Sequence, residues 1–90
     1  MLFIVAYDVP DDRRRTKLAK ELENWGARVQ GSVFECDLDA ERANLLAEQL
    51  RKLTAAEDDV RLYQLCQSCL NASVVVRGGQ FAVDPDFYQV

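Results

Sequence analysis

The residues of this chain best suited to chemistry stand close together near its start. Asp8 closes the run Leu2-Phe3-Ile4-Val5-Ala6-Tyr7, and after Pro10-Asp11-Asp12 the chain turns basic at Arg13-Arg14-Arg15 and Lys17. A carboxylate at the carboxyl end of a strand occupies the position where α/β layouts commonly place ligand-binding groups. Beside an arginine cluster it suits a hard metal ion facing a phosphate. The same residues also admit simpler readings. Asp8 can be a strand-end residue in a turn with Pro10, and Arg13–Lys20 can be a solvated helix face.

Composition narrows the chemistry. The 90 residues contain no histidine, which excludes Ser-His and Cys-His nucleophile pairs, His general bases and His-ligated zinc. Catalysis must then use carboxylates, a metal, Tyr, Lys or Cys. The net charge of -4 argues against general nucleic-acid binding. Its distribution is uneven, however: five basic and no acidic residues lie between Arg13 and Lys20. Phosphate binding would be confined to one face. The odd count of three cysteines, Cys36, Cys66 and Cys69, argues against a disulfide framework. Cys66-Gln-Ser-Cys69 has redox-motif spacing, yet it follows a strand-like run and leads into Leu70-Asn71, whereas a thioredoxin-type motif opens a helix. Small, semi-buried thiols near a strand end are the simpler expectation. No secretory segment or membrane-length apolar run is visible, so a soluble cytoplasmic protein with one domain spanning residues 1–90 is expected.

The elements that must position these groups follow from periodicity. Leu2–Tyr7 reads as a buried strand. Asp11 or Asp12 caps a helix whose buried face is Leu18, Ala19, Leu22 and Trp25, with Gly26 as its C′ residue. Arg28 to Cys36 alternates as one strand: Val29, Gly31, Val33 and Glu35 share a face, and Arg28, Gln30, Ser32, Phe34 and Cys36 share a mostly polar one. Asp39 caps a second helix with the stripe Ala43, Leu46, Ala47, Leu50 and Leu53. Val60–Leu65 reads as a strand, Ser73–Val76 as another, and Gln80–Val83 as a possible fifth. The simplest order is β-α-β-α-β-β. A ferredoxin-like β-α-β-β-α-β plan needs the Arg28–Cys36 segment to be split, and periodicity leaves both open. Either is an α/β sandwich (α+β) with helices on one sheet face.

Four stretches carry a resemblance: Val5-Ala6-Tyr7-Asp8-Val9; Arg13 to Leu22 with Gly26; Arg28-Val29-Gln30-Gly31-Ser32-Val33-Phe34-Glu35; and Asp59-Val60-Arg61-Leu62-Tyr63-Gln64-Leu65-Cys66. In order and spacing they resemble the small CRISPR-associated endonuclease family, whose members partner the spacer integrase during adaptation. The resemblance implies a ferredoxin-like homodimer with a C-terminal strand, within Gln80–Tyr88, packing on the partner subunit. It also implies a metal-dependent endonuclease acting on RNA or double-stranded DNA with magnesium or manganese. Asp8 then matches the metal-binding, catalytic acid. Arg15, Lys17 and Arg28 match nucleic-acid-binding positions, and Tyr7, Ser32 and Phe34 fall at the site or the dimer seam. Alternatives from other classes are a non-catalytic bridge between integrase and spacer DNA, and a ferredoxin-like regulatory or redox module using Cys66 and Cys69.

Overall fold

The computed structural model describes residues 1–72 and Val74. Its elements are β1 (Leu2–Asp8), α1 (Asp12–Glu23), β2 (Ala27–Gln30), β3 (Val33–Asp37), α2 (Ala40–Leu53), β4 (Asp59–Leu65) and a short α3 (Gln67–Ala72). The four strands form one sheet in the order β2-β3-β1-β4, with every neighbouring pair antiparallel. This is the split β-α-β arrangement of a ferredoxin-like fold. The expected strands at Ser73–Val76 and Gln80–Val83, and the C-terminal strand on a partner, lie outside the described residues apart from Val74.

The simpler β-α-β-α-β-β order is corrected at Gly31-Ser32. Gln30 pairs with Val33, so the expected single strand is a hairpin with a two-residue loop. Gly31 adopts a positive φ of 23°, which a residue with a Cβ rarely takes. The alternation also breaks, because an irregularity between Arg28 and Gln30 shifts the register. The Phe34 and Cys36 face does not meet solvent: both side chains are fully buried under the helices.

Local chemistry sets the helices. Asp11 caps α1 by accepting from the Arg14 backbone N–H at 2.9 Å, and Asp39 caps α2 by accepting from Arg42 N–H at 2.8 Å. Leu18, Ala19 and Leu22 of α1, with Ala43, Leu46 and Leu50 of α2, press onto Phe3, Val5, Tyr7, Phe34 and Cys36 of the sheet. Asn24, not Gly26, relates directly to the helix end as its C-cap. Gly26 is required for another reason: a Cβ there would lie 2.1 Å from the Glu35 carbonyl oxygen and 2.7 Å from Cys36 Sγ. The chain leaving α1 touches the β3 backbone, and only hydrogen fits between them.

A partly buried ion pair closes the far side. The Arg14 guanidinium donates to both Asp58 carboxylate oxygens, at 2.9 and 3.0 Å, and to Glu57 at 2.9 Å. The Asp58 side chain has no exposed surface and also accepts the Ala55 N–H at 2.8 Å. The Arg14 bonds, then the Ala55 amide, hold the Asp58 carboxyl below the usual carboxylate range. Arg14 is thereby a structural member of the basic run, tying α1 to the loop before β4.

Candidate functional site

Two features surround the carboxyl end of β1, on opposite faces of the sheet. Consecutive strand residues point to opposite sides, so Tyr7 enters the helix-covered core while Asp8 belongs to the other face. Tyr7 stacks near Phe34, with ring centroids 6.3 Å apart and planes inclined by 27°. The Arg28 guanidinium lies 5.2 Å above the Phe34 ring centroid. Around them Tyr7, Arg15, Thr16, Ala19, Lys20, Glu23, Arg28, Gly31 and Ser32 line a cleft of 510 Å³ between α1 and the β2–β3 hairpin. Three of its side chains, Arg15, Lys20 and Arg28, are cationic, and Glu23 is acidic. The local field suits an anion despite the acidic total.

The cleft thus gathers Tyr7, Arg15, Arg28 and Ser32 from the sequence-derived set. Phe34 lies beneath it, fully buried within the chain, supporting Arg28 and Tyr7. Ser32 fastens the hairpin to β1, its carbonyl accepting the Tyr7 N–H at 3.1 Å. Lys17 is exposed but does not line the cleft. It is two residues from Arg15, a spacing that sends helix side chains to different faces. Lys20 and Thr16 do line the cleft. The sequence signal for them was their own i, i+4 spacing, which lies alongside the Arg15, Ala19, Glu23 row.

Arg15 has a further duty. Its guanidinium donates to the Val9 carbonyl at 2.9 Å and pairs with the Asp12 carboxylate. This braces the loop that follows Asp8.

Asp8 itself is exposed, and its carboxylate makes no hydrogen bond or ion pair among the described residues. Its register partner on β4 is Asp59. The Asp59 carboxylate is already engaged by Arg61, at 3.0 and 3.2 Å, and those bonds hold its pKa below the ordinary value. Arg61 in turn approaches the Tyr63 hydroxyl at 3.4 Å. Sequence reasoning gave Asp59 no role of its own; it entered only as the first residue of a stretch that carries the family resemblance. Among the described residues no group of three or more His, Cys, Asp or Glu side chains could hold a metal ion. One chain therefore offers Asp8 as an available hard oxygen donor, with Asp59 beside it but occupied. A magnesium ion usually takes only one or two protein carboxylates, completing its shell with water and phosphate. The donor type fits such an ion, and the donor number calls for a second carboxylate or the substrate.

The family model for CRISPR associated protein Cas2 matches residues 1–72. The chain belongs to the Cas2 family. A Synechocystis relative, CRISPR-associated endoribonuclease Cas2 3, is 52% identical over 65 residues, covering 71% of each chain. A Chloroflexus aurantiacus protein of the same description is 41% identical over 91 residues, covering 100% of this chain and 98% of its own. Among solved structures, a chain of a partial Cas6-RT-Cas1–Cas2 complex superposes with a TM-score of 0.72 at 30% identity, covering 83% of this chain and 89% of that one. The ferredoxin-like plan implied by the resemblance is thus the fold of the family. No helix among the described residues is long and apolar enough to cross a membrane.

Proposed function

We propose that this Cas2 protein is a metal-dependent endonuclease of CRISPR adaptation that works as a homodimer and also serves as an adaptor for the spacer integrase. The observation that carries the reading is the exposed Asp8 carboxylate, without a partner among the described residues, at the end of β1 in a chain of a family whose relatives are named as nucleases. A two-fold axis bringing two copies of Asp8 together supplies the second carboxylate that one chain lacks. A divalent ion held there, magnesium or manganese, would supply Lewis-acid polarisation of a scissile phosphate. The chain's own residues do the rest. Arg15 fixes the loop behind Asp8 through Val9. Arg28 and Lys20 in the cleft neutralise the phosphate backbone, Arg28 with a planar fork able to bind two oxygens at once. Lys17, exposed on the outer face of α1, adds charge for a longer substrate.

The test is cleavage of labelled duplex DNA and single-stranded RNA, with magnesium or with EDTA, by the wild type and Asp8→Ala. Metal-dependent cleavage lost in the variant is expected. Full metal-dependent activity in Asp8→Ala defeats the assignment of Asp8. The adaptor role rests on a separate observation, the likeness to a chain solved in a complex that includes Cas1. Asp8→Ala is expected to co-purify with the integrase as well as the wild type does, and failure of both proteins to associate removes that role.

A further inference from the structure

Cys66 and Cys69 lie outside the cleft and the Asp8 face, and the proposed nuclease uses neither. Cys66 immediately follows β4 and Cys69 stands in α3, so the motif does open a short helix after a strand, contrary to the expectation from sequence. Both thiols are exposed, and their sulfurs are 3.3 Å apart. A disulfide requires about 2.05 Å between sulfurs, so roughly an ångström of closure remains, within reach of χ1 rotation in two solvent-exposed side chains. The third cysteine provides a contrast within the same chain. Cys36 is fully buried beneath the helices.

We propose that Cys66 and Cys69 form a reversible dithiol site that exchanges with small disulfides, Cys66 attacking and Cys69 resolving. In the first step the Cys66 thiolate attacks one sulfur of a low-molecular-weight disulfide. That S–S bond breaks, a mixed disulfide forms on Cys66, and one small thiolate leaves and takes up a proton. In the second step the Cys69 thiolate attacks Cys66 Sγ, releasing the second small thiol. Two protein thiols are oxidised by two electrons, the small disulfide is reduced to two thiols, and the two cysteine protons end on those products.

The direction of attack follows from the contacts within the pair. The Cys69 backbone amide, then its thiol, hold the Cys66 thiol below its ordinary pKa, while the same thiol contact raises Cys69. More thiolate on Cys66 makes it the first to react. Burial, reinforced by neighbouring Glu35, pushes the Cys36 thiol up to about 11, which keeps it out of the exchange. The oxidised form would fasten the end of β4 to the first turn of α3, immediately before residues 73–90.

The experiment equilibrates the full chain in buffers of reduced and oxidised glutathione, quenches with acid, alkylates and weighs the products. As the buffer becomes oxidising, alkylatable thiols are expected to fall from three to one, with Cys36 the survivor and a mass loss of two hydrogens confined to the Cys66–Cys69 peptide. Cys69→Ser should accumulate one glutathione on Cys66, because no resolving thiol remains, and faster than Cys66→Ser acquires one on Cys69. The proposal is overturned if both thiols stay alkylatable in every buffer, or if the disulfide joins two chains and doubles the mass. Equal adduct rates in the two single variants overturn the assigned roles. Protection of both thiols by Zn²⁺ with no disulfide in any buffer replaces exchange with metal binding. None of these readouts depends on nuclease activity.

Discussion

Replacing Gly26 by alanine tests the closest tertiary contact in the fold. An added Cβ would stand 2.1 Å from the Glu35 carbonyl oxygen, 2.7 Å from Cys36 Sγ and 2.9 Å from Cys36 Cα. Ordinary contact begins near 3.4 Å. Two of these three atoms are backbone, so no rotamer change relieves the overlap. The chain after α1 and strand β3 must part by more than an ångström. β3 is hydrogen-bonded on both edges and carries the fully buried Phe34 and Cys36, so it yields only by disturbing the core. Overpacking of this kind costs about 1–3 kcal/mol and sometimes more, and a rigid backbone obstacle belongs at the upper end, about 3 kcal/mol. For a domain of this size that lowers Tm by roughly 12–24 °C. Gly26 does not have a positive φ, so backbone preference does not oppose alanine there. Without the close approach, the substitution would instead stabilise by about 0.4–1 kcal/mol through the unfolded state. The sign therefore decides. Thermal and urea unfolding followed by the fluorescence of neighbouring Trp25 should show a large loss for Gly26→Ala. Gly31→Ala is the control: its Cβ would meet nothing within 4 Å, and only the positive φ opposes it, at a cost of about 1 kcal/mol. A Gly26→Ala protein as stable as the wild type would refute the packing argument.

Asp58 should make stability acid-sensitive. Its folded pKa lies below the ordinary value, so its contribution is fully present above about pH 4 and is lost as pH falls through the folded pKa. The gap in urea midpoint between wild type and Asp58→Asn should be wide at pH 7 and narrow towards pH 3; a gap independent of pH contradicts the ion-pair account. Arg28 and Phe34 should separate by role. Phe34→Ala empties a fully buried position and should cost about 3–5 kcal/mol in urea titrations. Arg28→Ala should leave the fold in place yet weaken nucleic-acid binding, lowering the slope of log K against log salt by about 1. An unchanged salt slope would remove Arg28 from the phosphate-contacting set.

Much of the architecture was written locally. Asp11 and Asp39 are helix caps because short acidic side chains satisfy the exposed amides of a first turn, and the Leu18–Leu22 and Ala43–Leu50 stripes repeat with the helical period. The hairpin was harder to see, because Gly31-Ser32 interrupts the chain without interrupting the alternation of residue types. Its only mark was a glycine at the first position of a two-residue loop. Helix packing reversed the reading of Phe34, which sits among polar neighbours in sequence and in the core in space.

The sequence by itself determined the type of chemistry available. The absence of histidine excluded His-based nucleophile pairs, bases and zinc ligands, and one carboxylate at a strand end beside a basic helix left hard-metal and phosphate chemistry as one reading beside a turn residue and a solvated helix face. The tertiary structure decided which of those residues meet. It placed Tyr7 and Asp8 on opposite faces of one sheet, gathered Arg15, Lys20 and Arg28 from a helix and a hairpin, and committed Arg14 to Asp58 across 44 residues of chain. It also brought Cys66 and Cys69 to 3.3 Å at a strand-to-helix junction. The physical reason is the same in each case. Periodicity fixes the face of an element on which a side chain stands, whereas contact between elements depends on register and packing, which are properties of the whole chain.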